Sequence, residues 1–275
     1  MVIKYNMAAS YQSRQLRYSA KRTEESSRKL STGYRIVLDK DDAAGLCISE
    51  SMRHQIKGLN RASANVEDGI GLIQTADAAL EETQSILDRM VELTTQAAHD
   101  INTTEDRKSI QSEIDQMKQE IDRIAYETSF NDNYMLAAGT PKAAPGYFKI
   151  QTGSLEGQAI VINFVNASKE SLGVDGVDVS TYESASKSMT LAQKAVDIAD
   201  GWRTEFGATQ EKLEHAARNL RKEHENTQSS ESKIRDVDMS EEVVAYTKNQ
   251  ILVNSAQSLL AQYNSNPKSI AVLLK

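Results

Sequence analysis

A seven-residue apolar repeat running from Ile48 to Ile101 constrains this chain more than any other feature. Steps of seven give Met52, Leu59, Val66, Ile73, Leu80 and Leu87 without a break. Offset positions on the same side add Ile48, Ile56, Ala62, Ile70, Ala76, Met90, Leu93 and Ala97. A sustained repeat of this kind predicts a helix that supercoils on partner helices. No proline interrupts it, and its two glycines, Gly69 and Gly71, cost roughly 1 kcal/mol each against alanine. At 1.5 Å per residue, about 54 residues reach roughly 80 Å, so the chain is expected to be elongated. A helix of that length needs other long helices beside it.

The composition supplies them. The 275 residues are 39% apolar but only 5% aromatic, and Pro141, Pro145 and Pro267 are the only prolines. That is the palette of long helices and coiled coils. A net charge of −7 spread along the chain argues against a nucleic-acid groove, which needs clustered Lys and Arg. One cysteine, Cys47, excludes an intramolecular disulfide framework. No apolar run reaches 18 residues, so no membrane insertion is expected. The N-terminus lacks the apolar core of a secretory signal, which implies that any export removes no such peptide.

Along the chain, Leu16, Ala20, Thr23, Ser27 and Leu30 form a thin helical seam in a locally basic stretch. Gly33 suits a helix C-terminus in the left-handed region, and Asp41 or Asp42 suits the N-cap of the long helix. Adjacent carboxylates can also do acid–base work. With no histidine, nucleophilic cysteine or glycine-rich phosphate loop nearby, capping is the better reading. After the long helix, Thr103 or Thr104 is the expected N-cap of a helix carrying Ile110, Ile114, Met117, Ile121 and Ile124. Its opposite face holds Glu113, Lys118, Glu120 and Arg123. The short connection predicts an antiparallel pair. Two alternating runs, 147–151 and 159–165, flank turn chemistry and predict a β-hairpin. Helix resumes from Tyr182 to Ile234 with a seam of Leu191, Ala195, Ile198, Trp202, Phe206, Leu213, Ala217 and Leu220. A last helix, capped by Asp238 or Ser240, is expected to stop near Asn264–Pro267. The sparse seams at the two ends require each other or neighbouring subunits.

The predicted fold class is therefore mainly α. Long antiparallel coiled-coil helices form a rod, with a small β-hairpin region and paired terminal helices. The segments are 1–44, an N-terminal helix and connector; 45–136, a long helix and its antiparallel partner; 137–180, the hairpin part; 181–235, a third rod helix; and 236–275, the C-terminal helix.

Leu30-Ser31-Thr32-Gly33-Tyr34-Arg35-Ile36 followed by Lys40-Asp41-Asp42-Ala43-Ala44-Gly45 resembles the N-terminal block of bacterial flagellins. Gly58-Leu59-Asn60-Arg61-Ala62-Ser63-Ala64-Asn65-Val66 resembles the block that follows it. Glu231 to Met239, Gln250-Ile251-Leu252 and Leu259-Leu260-Ala261-Gln262 resemble the C-terminal block. The similarity covers about residues 1–136 and 180–275, and the small centre implies a short form without the large outer domains. Val37-Leu38-Asp39 and Cys47 depart from the family pattern where inner and outer parts connect.

The resemblance implies a structural subunit that polymerises with itself into the flagellar filament for motility, located outside the cell. It also implies unfolded export through the flagellar type III apparatus, an export chaperone, and contact with filament cap and hook-junction proteins. Polymerisation and chaperone contacts are expected at Leu16, Leu30, Ile251, Leu252, Leu259, Leu260, Leu273 and Leu274. Arg89, Leu93, Gln96, Ile110 and Glu113 fall where the family's motif for Toll-like receptor 5 lies; the first three share one helix face. The rival within the family is a hook–filament junction protein. An enzyme is the rival class, but His54, His99, His215 and His224 are scattered and show no metal-ligand spacing. No catalytic residue, metal or cofactor is expected.

Overall fold

In the computed structural model, described residues run over 6–138 and 146–273, with side chains described up to 266. Six helices and four short strands follow one another: α1 (Met7–Thr32), α2 (Ala43–Ala97), α3 (Thr104–Glu127), β1 (Ser129–Phe130), β2 (Asn133–Tyr134), β3 (Tyr147–Gln151), β4 (Ala159–Asn163), α4 (Lys169–Leu172), α5 (Tyr182–Arg235) and α6 (Met239–Leu273). They fall into two units, one of Met1–Ile56 with Glu225–Lys275, the other Lys57–His224.

The second unit is built on the predicted repeat. Leu59, Val66, Ile73, Leu80 and Leu87 are buried to 1% exposure or less. Against them lie Phe206, Leu213, Ala217 and Leu220 of α5, together with Ile162 and Phe164 of the hairpin region. A second cluster joins Leu87, Met90 and Leu93 to Ile110, Ile114 and Ile121 of α3 and to Val174, Val177 and Val179. α3 and α5 both run antiparallel to α2. Between α2 and α5, Arg203 reaches Asp77 at 3.1 Å and Arg221 reaches Glu67 at 3.2 Å. β3 and β4 pair antiparallel in the register Tyr147↔Asn163 to Gln151↔Ala159. Gly58 and Gly69 let this hairpin approach α2. A Cβ at Gly58 would lie 2.8 Å from Ser154 and one at Gly69 3.2 Å from Ile150, which explains glycines inside a helix.

Several boundaries move. α2 stops at Ala97, and Ile101 is 82% exposed, because Arg107 of α3 folds back and donates to the carbonyls of Ala97 and His99. Thr103 caps α3 in a reciprocal box with Asp106, at 3.2 and 3.0 Å. Lys118 leaves the predicted solvated face. It is buried, its ammonium donating to the carbonyls of Asp175 (3.1 Å) and Val177 (2.8 Å), which ties the segment after α4 to α3. Ile198 is 39% exposed, since the sevenfold repeat of α5 runs through Ala185, Ala192, Ala199 and Phe206 instead. Ile48 is likewise half-exposed.

The first unit pairs α1 with α6. The seam is made of small and polar residues, Ala9, Ser19 and Ser26 on α1 and Asn249 and Ala256 on α6. α6 also continues past Pro267, where the sequence predicted a stop. A proline in a helix leaves the carbonyl four residues earlier without its amide partner. Here that carbonyl belongs to Tyr263, and it accepts from Asn6 Nδ2 at 2.8 Å. The Asn6 Oδ1 meanwhile caps α1 by accepting from the Ala9 N–H at 3.0 Å.

Candidate functional site

The connector between α1 and α2 is pinned to the junction of α5 and α6. Gly33 ends α1 at φ 75°, where a side chain would be strained. Tyr34 then bridges Asp236, with Arg35 N–H donating to the Arg235 carbonyl (2.7 Å) and Val237 N–H to the Gly33 carbonyl (3.0 Å). The Arg235 guanidinium stacks on the Tyr34 ring, 4.9 Å from its centroid, and pairs with Glu50. That hydrogen bond is the main reason the Glu50 carboxyl is held below its usual range. Both candidate acid–base carboxylates act on backbone. Asp41 accepts from Leu38 and Val37 N–H, the first of which chiefly lowers its pKa, and Asp42 accepts from Gly45 N–H at 2.9 Å. Sequence reasoning did not single out Arg235, Glu50 or Asn6. The signal for Asn6 was an Asn placed three residues before Ala9 at the start of a polar helix.

The residues expected at an assembly surface divide in two. Leu16 and Leu30 are half-buried on α1. Ile251, Leu252 and Leu259 are exposed on α6 by 59, 44 and 43%, beside the equally exposed Val243 and Val244, and Leu260 is half-buried. From residue 243 to 266 the only charged side chain is Lys248. These exposed apolar side chains lie outside the buried seam of Asn249 and Ala256 on α6, with Lys248 among them. The side chains of Leu273 and Leu274 lie outside the described residues.

On α2 and α3, Arg89 and Glu113 do meet. Arg89 Nε and Nη2 lie 3.3 and 3.2 Å from Glu113 Oε1, while Nη1 donates to Glu92 at 2.8 Å. The Glu92 bond and then Glu113 raise the arginine's pKa, so this ridge is a charged pair from two helices. Gln96 is exposed beside it. Leu93 and Ile110, 2% and 8% exposed, lie beneath the ridge in the core and support it. Among the described residues no group of three or more His, Cys, Asp or Glu is placed to hold a metal.

Residues 3–140 match the family described as the bacterial flagellin N-terminal helical region, and residues 189–274 match the bacterial flagellin C-terminal helical region. The chain belongs to the bacterial flagellin family. Among curated flagellins it is 38% identical to flagellin FlaB2 of Treponema pallidum over 290 residues, with all of both chains covered. The flagellin of Halalkalibacterium halodurans is 36% identical, again over all of both chains. Flagellin of Bacillus subtilis is 38% identical over 307 residues at the same coverage. A crystal structure of Bacillus cereus flagellin superposes with a TM-score of 0.53 at 30% identity, covering 57% of this chain and 88% of that one. Flagellin membership supports the role of a structural filament subunit, with the mainly helical fold that the sequence predicted. Among the described residues no helix is long and apolar enough to cross a membrane.

Proposed function

We propose that the chain is the building block of a bacterial flagellar filament, exported unfolded by the flagellar type III apparatus and assembled outside the cell. The observation that carries this is the α6 face of Val243, Val244, Ile251, Leu252 and Leu259, exposed along an almost uncharged helix. Burying it against copies of itself removes apolar area from water at about 25 cal/mol per Å². Such contacts are heterologous and extend a helix instead of closing a ring. Before export the same face needs a chaperone, and the growing end meets cap and hook-junction proteins. The role is structural, with no chemistry assigned to the chain. The experiment is elongation: purified monomer added to filament seeds extends them without limit. Seeds that are capped, or that fail to grow, overturn this in favour of a hook–filament junction protein.

The charged ridge supports recognition of the free monomer by Toll-like receptor 5. Arg89, Gln96 and Glu113 would make the contact and Leu93 and Ile110 hold it in place. In a filament the ridge would pack against a neighbour, so only monomer is visible. Arg89→Ala and Glu113→Ala should each weaken binding to the receptor ectodomain by roughly 1–2 kcal/mol or more. Unchanged affinity in both variants removes this ridge from the account.

A further inference from the structure

The α6 face accounts for apolar contact, but α1 presents a face of another kind. Its seam side, Ala9, Ser19 and Ser26, is covered by α6. Tyr11, Arg14, Tyr18 and Lys21, spaced by three and four, share the opposite side, with Arg17 and Arg22 adjoining, and all six are exposed. Arg22 lies over the Tyr18 ring at 4.9 Å from its centroid. Arg14, Arg17 and Lys21 make no ion pair among the described residues, although the chain as a whole carries −7. Helix α1 holds six basic and two acidic side chains, so its outer face is a positive stripe on a negative molecule.

The same unit holds the complement. Asp236, Asp238, Glu241 and Glu242 put four carboxylates into seven residues at the start of α6, with no Lys or Arg among them. Glu242 is paired with Lys29 at 3.8 Å. Asp236, Asp238 and Glu241 are exposed, and the first two are engaged only by neutral donors, the Ser232 hydroxyl and the Ser240 and Glu241 amides. Of the other acids in the unit, Glu50 is paired with Arg235, Glu231 with Arg53 and Asp41 with Arg28, while exposed Glu24 lies on α1 itself and Asp39 beside Lys40. The rest of the described α6 offers no carboxylate at all.

We infer that the Arg14–Arg17–Lys21 stripe of one copy docks on the Asp236–Asp238–Glu241 turn of a second copy. The contact sets the register of subunits that the α6 face, with Lys248 as its single charge, leaves undefined. Opposite charges steer and align an interface in this way, while apolar burial supplies most of its affinity. The inference rests on the filament reading and adds the device that fixes the spacing between copies.

The test is polymerisation of the full chain at rising monomer concentration, followed by sedimentation. Arg14→Glu/Arg17→Glu/Lys21→Glu should raise the critical concentration at least tenfold, and Asp236→Lys/Glu241→Lys should do the same, with Asp238 kept as the α6 cap. An equimolar mixture of the two variants should polymerise near the parent's concentration, because each copy then meets its complement in the other. The exposed positions carry little folding burden, and the mixture guards against simple misfolding. Either charge variant polymerising like the parent, or a mixture that stays soluble, overturns the inference. So does a stripe variant that forms normal filaments but no longer binds vesicles of anionic phosphatidylglycerol, since the stripe would then serve a membrane. If the parent itself forms no filaments, the filament reading fails first and takes this one with it.

Discussion

A chain carrying Leu259→Asp and Leu260→Asp is expected to remain monomeric at concentrations where the parent forms filaments. In the free chain Leu259 is 43% exposed, so an aspartate there is hydrated. Leu260 is half-buried four residues beyond the seam residue Ala256, so Leu259→Asp alone is the companion variant that leaves the pairing with α1 untouched. Assembly changes their surroundings. Around them the helix bears no charge from residue 249 to 266, so packing copies together puts two carboxylates into an apolar seam with no cation to meet them. Unpaired burial of that kind costs several kcal/mol per subunit, on the order of a whole interface contact repeated along the polymer. Far-UV circular dichroism should match the parent while sedimentable polymer disappears. Ordinary filaments from this variant would refute the burial of the α6 face.

Leu80→Ala is expected to lower the stability of the unit formed by residues 57–224 by about 3 kcal/mol, within the 2–5 kcal/mol spread for such truncations. Leu80 is fully buried where α2 meets α5 and the hairpin region, and the neighbouring Ala76 and Ala79 are too small to fill the space left behind. Ile198→Ala serves as the comparison. Ile198 is 39% exposed on the outer side of α5 and should cost under about 1 kcal/mol. Urea titration followed by tryptophan fluorescence suits both, because Trp202 packs against both core clusters. Equal costs at the two positions would mean that the α5 seam runs through Ile198 after all.

That comparison marks where sequence periodicity was legible and where it failed. The run from Leu59 to Leu87 is spaced by seven and built of large apolar residues, so the pattern and the burial coincide. On α5 the same spacing passes through Ala185, Ala192 and Ala199, whose methyl groups weigh little in any apolarity count; Ile198 drew the reading one position aside. At the start of α2 the buried stripe is Gly45 and Ser49, and Ile48 misled in the same way. Caps were legible because they are local: Gly33, Asp42, Thr103 and Asp238 all act within a few residues of themselves. The two-residue turn joining β1 and β2 was legible too but went unread, although Asn131 and Asp132 are among the few residues that accept positive φ. The short helix α4 also went unread. The burial of Lys118 and the role of Arg235 could not be read from spacing: besides the local Asp115, the partners that hold them lie 57 or more positions away and are mostly carbonyl groups or an aromatic face. The ridge proposed for receptor contact was half legible. Helical spacing placed Arg89 and Gln96 together and put Leu93 and Ile110 in the apolar seams where they are found buried, but only packing shows Arg89 pairing with Glu113 across two helices.

The two hydrogen bonds of Asn6 give the chain a way of checking its own completeness. One amide group starts α1 with its oxygen and, with its nitrogen, covers the carbonyl that Pro267 leaves bare on α6. The Asn6 to Tyr263 bond spans 257 positions of sequence, so a residue at the start of the chain serves a carbonyl close to its end. Removing the first six residues would therefore leave the Tyr263 carbonyl to water, at an expected cost of about 1 kcal/mol to that turn of α6. The two ends of the chain are thus joined by a single side-chain amide, a small coupling that runs between termini far apart in sequence.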